Sequence, residues 1–183
     1  MLTKRKRLFI FAVAMGAAGA VIAAGNVATA SNETHGADVT VLERLTGYEE
    51  TPLAVSTNGT GRFRARIDEA QQRITYTVSY SGLEGSVTQA HIHFGARAQT
   101  GGIAAFLCTN LGNGPAGTQA CPAAPATVSG TIAPGDVLGP SAQGIAAGEF
   151  AELVKAIRAG FAYVNVHSTL YPVGELRAQF DHH

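Results

Sequence analysis

Residues 60–80 read Thr60-Gly61-Arg62-Phe63-Arg64-Ala65-Arg66-Ile67-Asp68-Glu69-Ala70-Gln71-Gln72-Arg73-Ile74-Thr75-Tyr76-Thr77-Val78-Ser79-Tyr80. Two period-2 patterns flank a short polar connection. Gly61, Phe63, Ala65 and Ile67 alternate with Arg62, Arg64 and Arg66, and Ile74, Tyr76, Val78 and Tyr80 alternate with Thr75, Thr77 and Ser79. Successive side chains of a strand point to opposite faces, so each run buries one face and wets the other. The second run is β-branched and aromatic, as strands favour. Asp68 to Gln72 is short enough to make the pair an antiparallel hairpin, and Asn58-Gly59 and Ser81-Gly82 mark turns at its outer ends. The three arginines on the wet face read either as an anion site or as a solvated strand face.

Outward from this hairpin the same logic predicts strands at 87–94, 102–107, 127–133, 161–168 and 174–180, with a weaker first one around Val39 to Arg44. Many short strands separated by turn signals make an all-β antiparallel sandwich or barrel. One segment breaks the pattern. Phe150, Leu153, Val154 and Ile157 fall at helical spacing, with Glu149 and Glu152 in the first turn and Lys155 and Arg158 in the last. Both charge placements suit the helix dipole, and Gly160 suits the position after the helix end. A short helix is expected over 149–159, its apolar stripe turned to the core.

The chain of 183 residues carries 13 basic and 13 acidic side chains. Four of the basic ones form Lys4-Arg5-Lys6-Arg7, followed by an apolar run to about Ala24 and by Ala28-Thr29-Ala30. A basic start, an apolar centre and a small-residue cleavage site describe a secretory signal peptide over 1–30; an uncleaved anchor is the alternative. Residues 31–37 read as a flexible leader, and 38–181 as one folded domain. Cleavage before Ser31 removes the four basic residues and turns a neutral chain into one with net charge −4. Such a domain lacks the basic stripe of a nucleic-acid binder, and no second apolar run is long enough for a membrane span. The expected destination is periplasmic or extracellular. In an oxidising compartment Cys108 and Cys121 read as a disulfide, with a thiolate metal pair as the alternative.

The chemistry-bearing residues lie in two predicted strands. His91 and His93 in Gln89-Ala90-His91-Ile92-His93-Phe94 share one strand face. Tyr163, Asn165 and His167 share a face of a later strand, opposite Val164 and Val166. If those strands are neighbours, three imidazoles converge outside the apolar core. Three neutral imidazoles suit Cu or Zn and leave one coordination position open. The alternative is that they hydrogen-bond to backbone or carboxylates. Glu175 follows closely in Pro172-Val173-Gly174-Glu175-Leu176-Arg177. It reads as an acceptor that orients the His167 ring, as an additional ligand, or as a surface ion-pair partner of Arg177 or Arg97. Glu49 and Glu50 occupy a loop whose position the sequence leaves open. No nucleophile elbow, zincin helix, phosphate loop or dinucleotide fingerprint is present, so no catalytic residue is assigned.

Several stretches together resemble the chordin-type (CHRD) domain family. They are Leu45 to Leu53, Gly59 to Phe63, Ile74 to Val78, Gly82-Leu83, Ala90-His91-Ile92-His93, Gly160 to His167 and Pro172 to Arg177, in order over about 38–181. The resemblance implies an exported, immunoglobulin-like β-sandwich or barrel, here a single-domain microbial-type member without growth-factor-binding cysteine-rich modules. A looser resemblance is to Cu/Zn superoxide dismutase. His91-Ile92-His93 looks like its paired copper ligands and His167 like a later one. The bridging histidine and the zinc cluster of that enzyme have no counterpart between His93 and His167. Three functions follow as expectations: a binding module with a His-based Cu or Zn site; a non-enzymatic envelope or extracellular-matrix module recognising a protein or glycan; and a metalloenzyme with dismutase-like chemistry. The balance leans to binding over catalysis.

Overall fold

The computed structural model describes residues 39–181. The expected signal segment (1–30), the leader (31–37) and the terminal His182 and His183 lie outside the described residues. Eight strands form: β1 (Val39–Thr46), β2 (Thr60–Asp68), β3 (Arg73–Ser81), β4 (Val87–Phe94), β5 (Gly102–Thr109), β6 (Ala126–Ile132), β7 (Ala162–Ser168) and β8 (Leu176–Gln179). Among the described residues one α-helix, α1, spans Phe150–Arg158, and three short 3-10 turns occur in loops. The turns carry too few residues to leave a periodic signal. Among the described residues no helix is long and apolar enough to cross a membrane.

The strands make one antiparallel sheet in the order β5-β4-β7-β8-β1-β2-β3-β6, curled until its edges nearly meet. The expected sandwich-or-barrel is thus a nearly closed barrel. Side chains from neighbouring segments bridge the gap between β5 and β6. Gln119 Nε2 donates to Leu107 O (3.2 Å) and to Ser129 O (3.0 Å), and Tyr76 Oη donates to Leu107 O (2.8 Å). These bonds occupy carbonyls that an open edge would offer to another chain.

The hairpin of β2 and β3 forms as its alternation dictates. Gln72 carries a left-handed φ of 48° in the connection, and Asp68 Oδ1 accepts from Gln71 N at 2.9 Å. Phe63, Ala65, Ile67, Ile74, Tyr76, Val78 and Tyr80 enter the core while Arg62, Arg64 and Arg66 stay exposed. A slip of one residue would exchange these sets and bury three guanidinium groups, which fixes the register. Phe63 stacks on Phe180 (centroids 5.2 Å apart), tying β2 to the end of β8. In α1, Phe150, Leu153, Val154, Ala156 and Ile157 are buried in the same core. Gly160 takes φ 71° just past the helix, the conformation expected there. Cys108 at the end of β5 is bonded to Cys121, with Cα atoms 5.1 Å apart. Asn110 reinforces this link: its side chain accepts from Cys121 N (3.0 Å) and donates to Cys121 O (2.9 Å) and Val87 O (3.1 Å).

Candidate metal centre

Strands β4, β7 and β8 are consecutive in the sheet, and their register lines up odd-numbered residues on one face. His91 is opposite Asn165, His93 opposite Tyr163, and Gln89 opposite His167. Across β8, Asn165 is opposite Arg177 and Tyr163 opposite Gln179. The even-numbered Ala90, Ile92, Val164, Val166, Leu176 and Ala178 fill the barrel interior. Unlike the arginine face of β2, this polar face is hidden from water. His91, His93, Asn165, His167, Arg177 and Gln179 are all buried. Carbonyls of Ala96, Gln99, Gly101 and Pro172, the Thr51 hydroxyl and the Glu50 carboxylate reach its side chains from the covering loops. The β4–β5 ladder shifts register twice, at Ala90/His91 and Ile92/His93, and Phe106 of β5 meets the His91 ring edge-on at 4.3 Å.

The three imidazoles converge. His91, His93 and His167 each offer a ligand nitrogen, and these atoms lie within 4.8 Å of one another. His93 Nδ1 faces Gly101 O at 3.0 Å and His167 Nδ1 faces Pro172 O at 3.1 Å. A carbonyl only accepts, so both Nδ1 atoms carry the hydrogen and both Nε2 atoms present lone pairs. This use of the remote ring nitrogen is what fixes the tautomer and aim of a ligating histidine. His91 Nδ1 lies 3.2 Å from His167 Nε2 and, with that lone pair as acceptor, donates to it. His91 Nε2 and His93 Nε2 are buried and have no hydrogen-bond partner. Burial pushes all three imidazoles well below their usual range, His93 and His167 to about 4 and His91 further, with His167 and His93 adding repulsion at His91. They are therefore neutral at physiological pH, the form that binds metal.

A second tier fixes this cluster. The Tyr163 ring stacks on His93 (centroids 4.8 Å apart, 3° between planes), and the Arg177 guanidinium sits 3.6 Å above the Tyr163 ring centroid. Tyr163 Oη accepts from Gly101 N at 3.0 Å, in the same loop that receives His93 Nδ1. Arg177 donates to Thr51 Oγ1, to Gln99 O and Ala96 O (3.0 Å each) and to Gln179 Oε1 (3.0 Å). Asn165 Nδ2 donates to both oxygens of Glu50 at 3.0 Å. Burial raises the Glu50 carboxyl to about 7, against the lowering effect of Asn165 and Arg177.

Glu175 is placed differently from its expectations. It is fully buried, and its Oε1 accepts from Thr57 Oγ1 (2.8 Å) and from Glu84 N (2.7 Å). It neither orients His167, whose Nδ1 goes to Pro172 O, nor pairs with Arg177 on the surface. The physical reason is the turn before it: Gly174 has φ 137° and β8 begins only at Leu176, so the alternation does not extend back to 175. Glu175 instead ties the loops carrying Thr57 and Glu84 to the start of β8. Arg97 pairs with Glu49 (2.6 Å) and Asp181 (3.1 Å). The residues that sequence reasoning left unplaced are Glu50, Thr51, Thr57 and the carbonyls of Gly101 and Pro172. Loop geometry brings them in, and carbonyls have no sequence signal. Tyr163 and Asn165 were legible, since they share the odd-numbered face with His167.

The comparison with protein families matches the CHRD domain over residues 42–180. No curated protein matches the chain, and no solved structure matches it. The match runs from β1 to the end of the barrel and takes in every residue of the histidine cluster and its supports, so the chain belongs to the CHRD domain family.

Proposed function

We propose that this CHRD-domain protein is an exported binding module, periplasmic or extracellular, in which His91, His93 and His167 hold one copper or zinc ion. The observation that carries this reading is the convergence of the three ligand nitrogens within 4.8 Å. Imidazole nitrogens suit both metals. Two nitrogens bound to one ion at 2.0–2.1 Å in tetrahedral array are about 3.3 Å apart, close to the 3.2 Å between His91 Nδ1 and His167 Nε2, so the ion replaces the hydrogen between them and the His91 proton passes to its Nε2. The widest separation must close somewhat, since bound nitrogens stand at most about 4.2 Å apart. The carbonyls at Gly101 and Pro172 hold two rings in the right tautomer while that happens. Retention of an ion, more than turnover of a substrate, fits rings that are 0–7% exposed.

The test is an equilibrium titration of the chelator-treated full chain with Zn(II) and Cu(II), beside the His91→Ala/His93→Ala variant. One equivalent should bind to the parent, and the variant should bind it at least ~100-fold more weakly, since removing ligands costs more than the 10–100-fold typical of losing an outer partner. His35, His182 and His183 remain in both proteins. Equal binding by the two would assign the ion to those terminal histidines and refute the site.

A further inference from the structure

The half of the sheet remote from the histidines in strand order carries a second feature, the outer face of β1, β2, β3 and β6. Its register sets out rows. Arg44 is opposite Arg62, which is opposite Ser79 and then Thr127. The next row runs Leu42, Arg64, Thr77, Ser129, and the one after it Thr40, Arg66, Thr75, Thr131. Arg44, Arg62, Arg64 and Arg66 are exposed, and no acidic side chain occupies these rows. Among the described residues Arg44, Arg62 and Arg64 make no ion pair. Two adjoining grooves of about 580 and 520 Å³ cross the face and share Arg44, Arg62, Ser79 and Thr127, and the half-buried Glu43 is the one acidic residue that lines them.

Like charges directly opposite in an antiparallel pair are destabilising, so Arg44 facing Arg62 works against folding unless an anion comes between them. Alternate residues of β2 repeat about every 6.7 Å, which presents Arg62 and Arg64, with Arg44 beside them, as cations suited to a repeating anion. A guanidinium binds a carboxylate through two parallel N–H donors. Beside this line stand the hydroxyls of Thr77, Ser79, Thr127 and Ser129, each both donor and acceptor and so matched to sugar hydroxyls. The face carries no aromatic ring on which a nucleobase would stack, and Leu42 is its one large apolar side chain, too little for insertion into a lipid surface.

We infer that this face docks an acidic polysaccharide, a linear polymer bearing repeated uronate carboxylates, with the arginines on the carboxylates and the threonine and serine hydroxyls on the sugar rings. The inference is independent of the metal site. The full chain is titrated with polygalacturonate at low ionic strength, beside neutral dextran, phosphatidylglycerol vesicles and single-stranded DNA. Polygalacturonate should bind and dextran should not, added chelator should change nothing, and raised salt should weaken the complex. Arg62→Ser/Arg64→Ser should lower affinity on the order of tenfold, the sum of two exposed ion pairs with their hydrogen bonds. Thr77→Glu, which keeps every arginine but places an anion in their midst, should weaken binding as well. The inference is overturned if polygalacturonate does not bind, if both variants bind like the parent, or if vesicles or DNA are bound in preference.

Discussion

Gly174 is the point at which the support of the histidine cluster is most sensitive. Its φ is 137°, and a Cβ built there would lie 2.6 Å from both carboxylate oxygens of Glu50 and 2.7 Å from Asn165 Oδ1. These atoms can withdraw only by giving up buried hydrogen bonds. Glu50 and Asn165 are 6% and 3% exposed, and they hold each other through two 3.0 Å hydrogen bonds. For Gly174→Ala the backbone strain costs about 1–3 kcal/mol. Displacing the carboxylate from Asn165 costs about 1.5–3 kcal/mol more, because the acceptor can be charged. Together the loss is roughly 2.5–6 kcal/mol. Denaturant unfolding reads it as a lower midpoint at unchanged slope. The two contributions separate in a Glu50→Ala background, which removes the carboxylate that the new methyl strikes. There Gly174→Ala should cost the backbone share and the contact with Asn165 Oδ1 but no longer the carboxylate's displacement, a coupling of about 2 kcal/mol. A cost below about 1 kcal/mol, or the same cost in both backgrounds, would refute the reasoning.

Glu50 gives a pH prediction. Its carboxyl is raised from 4.5 in the unfolded chain to about 7 in the fold by burial, so the unfolded state ionises first. The associated stability is full below pH 4.5 and is lost as pH rises through 7. Glu50→Gln should therefore gain on the parent by roughly 3 kcal/mol between pH 4.5 and 8; a parallel pH dependence in both proteins would contradict this. Cys108→Ser/Cys121→Ser opens a loop closed by a sequence separation of 13 residues. It should lower the unfolding free energy by about 3 kcal/mol, measured under non-reducing conditions, and reductant should no longer change the midpoint. Arg177→Lys keeps the charge but not the planar fork that meets Thr51, Gln99, Ala96 and Gln179. A loss of about 2–4 kcal/mol should follow, with faster amide exchange at Gly101, because the loop over His93 loses its anchor.

The strands were legible where they alternate: β2 and β3 carry the pattern almost without exception, whereas β5 is a continuous apolar run, and the helix at 150–158 announces itself by spacing and end charges. The pairing of β4 with β7 was not legible, since contact between strands distant in the chain depends on how the sheet closes. It needed the register that sets His91 against Asn165 and His93 against Tyr163. Period 2 identified the polar face of β7 but gave no sign that loops would bury it. A polar residue facing a loop looks, in sequence, like one facing water. Arg177 shows this best: it reads as an exposed strand arginine and is 1% exposed. Glu175 lies in the strand expected over 174–180, but the positive φ of Gly174 delays that strand to Leu176.

The central claim is that the three strand histidines bind one ion. It is tested most directly by ¹⁵N NMR of the imidazole side chains of the full chain during titration with Zn(II). Up to one equivalent, the signals of His91, His93 and His167 should all move, with Nε2 of His93 and His167 shifting to the metal-bound range while their Nδ1 atoms stay protonated on Gly101 O and Pro172 O. Unmoved strand histidines, with shifts confined to His35, His182 and His183, would contradict it.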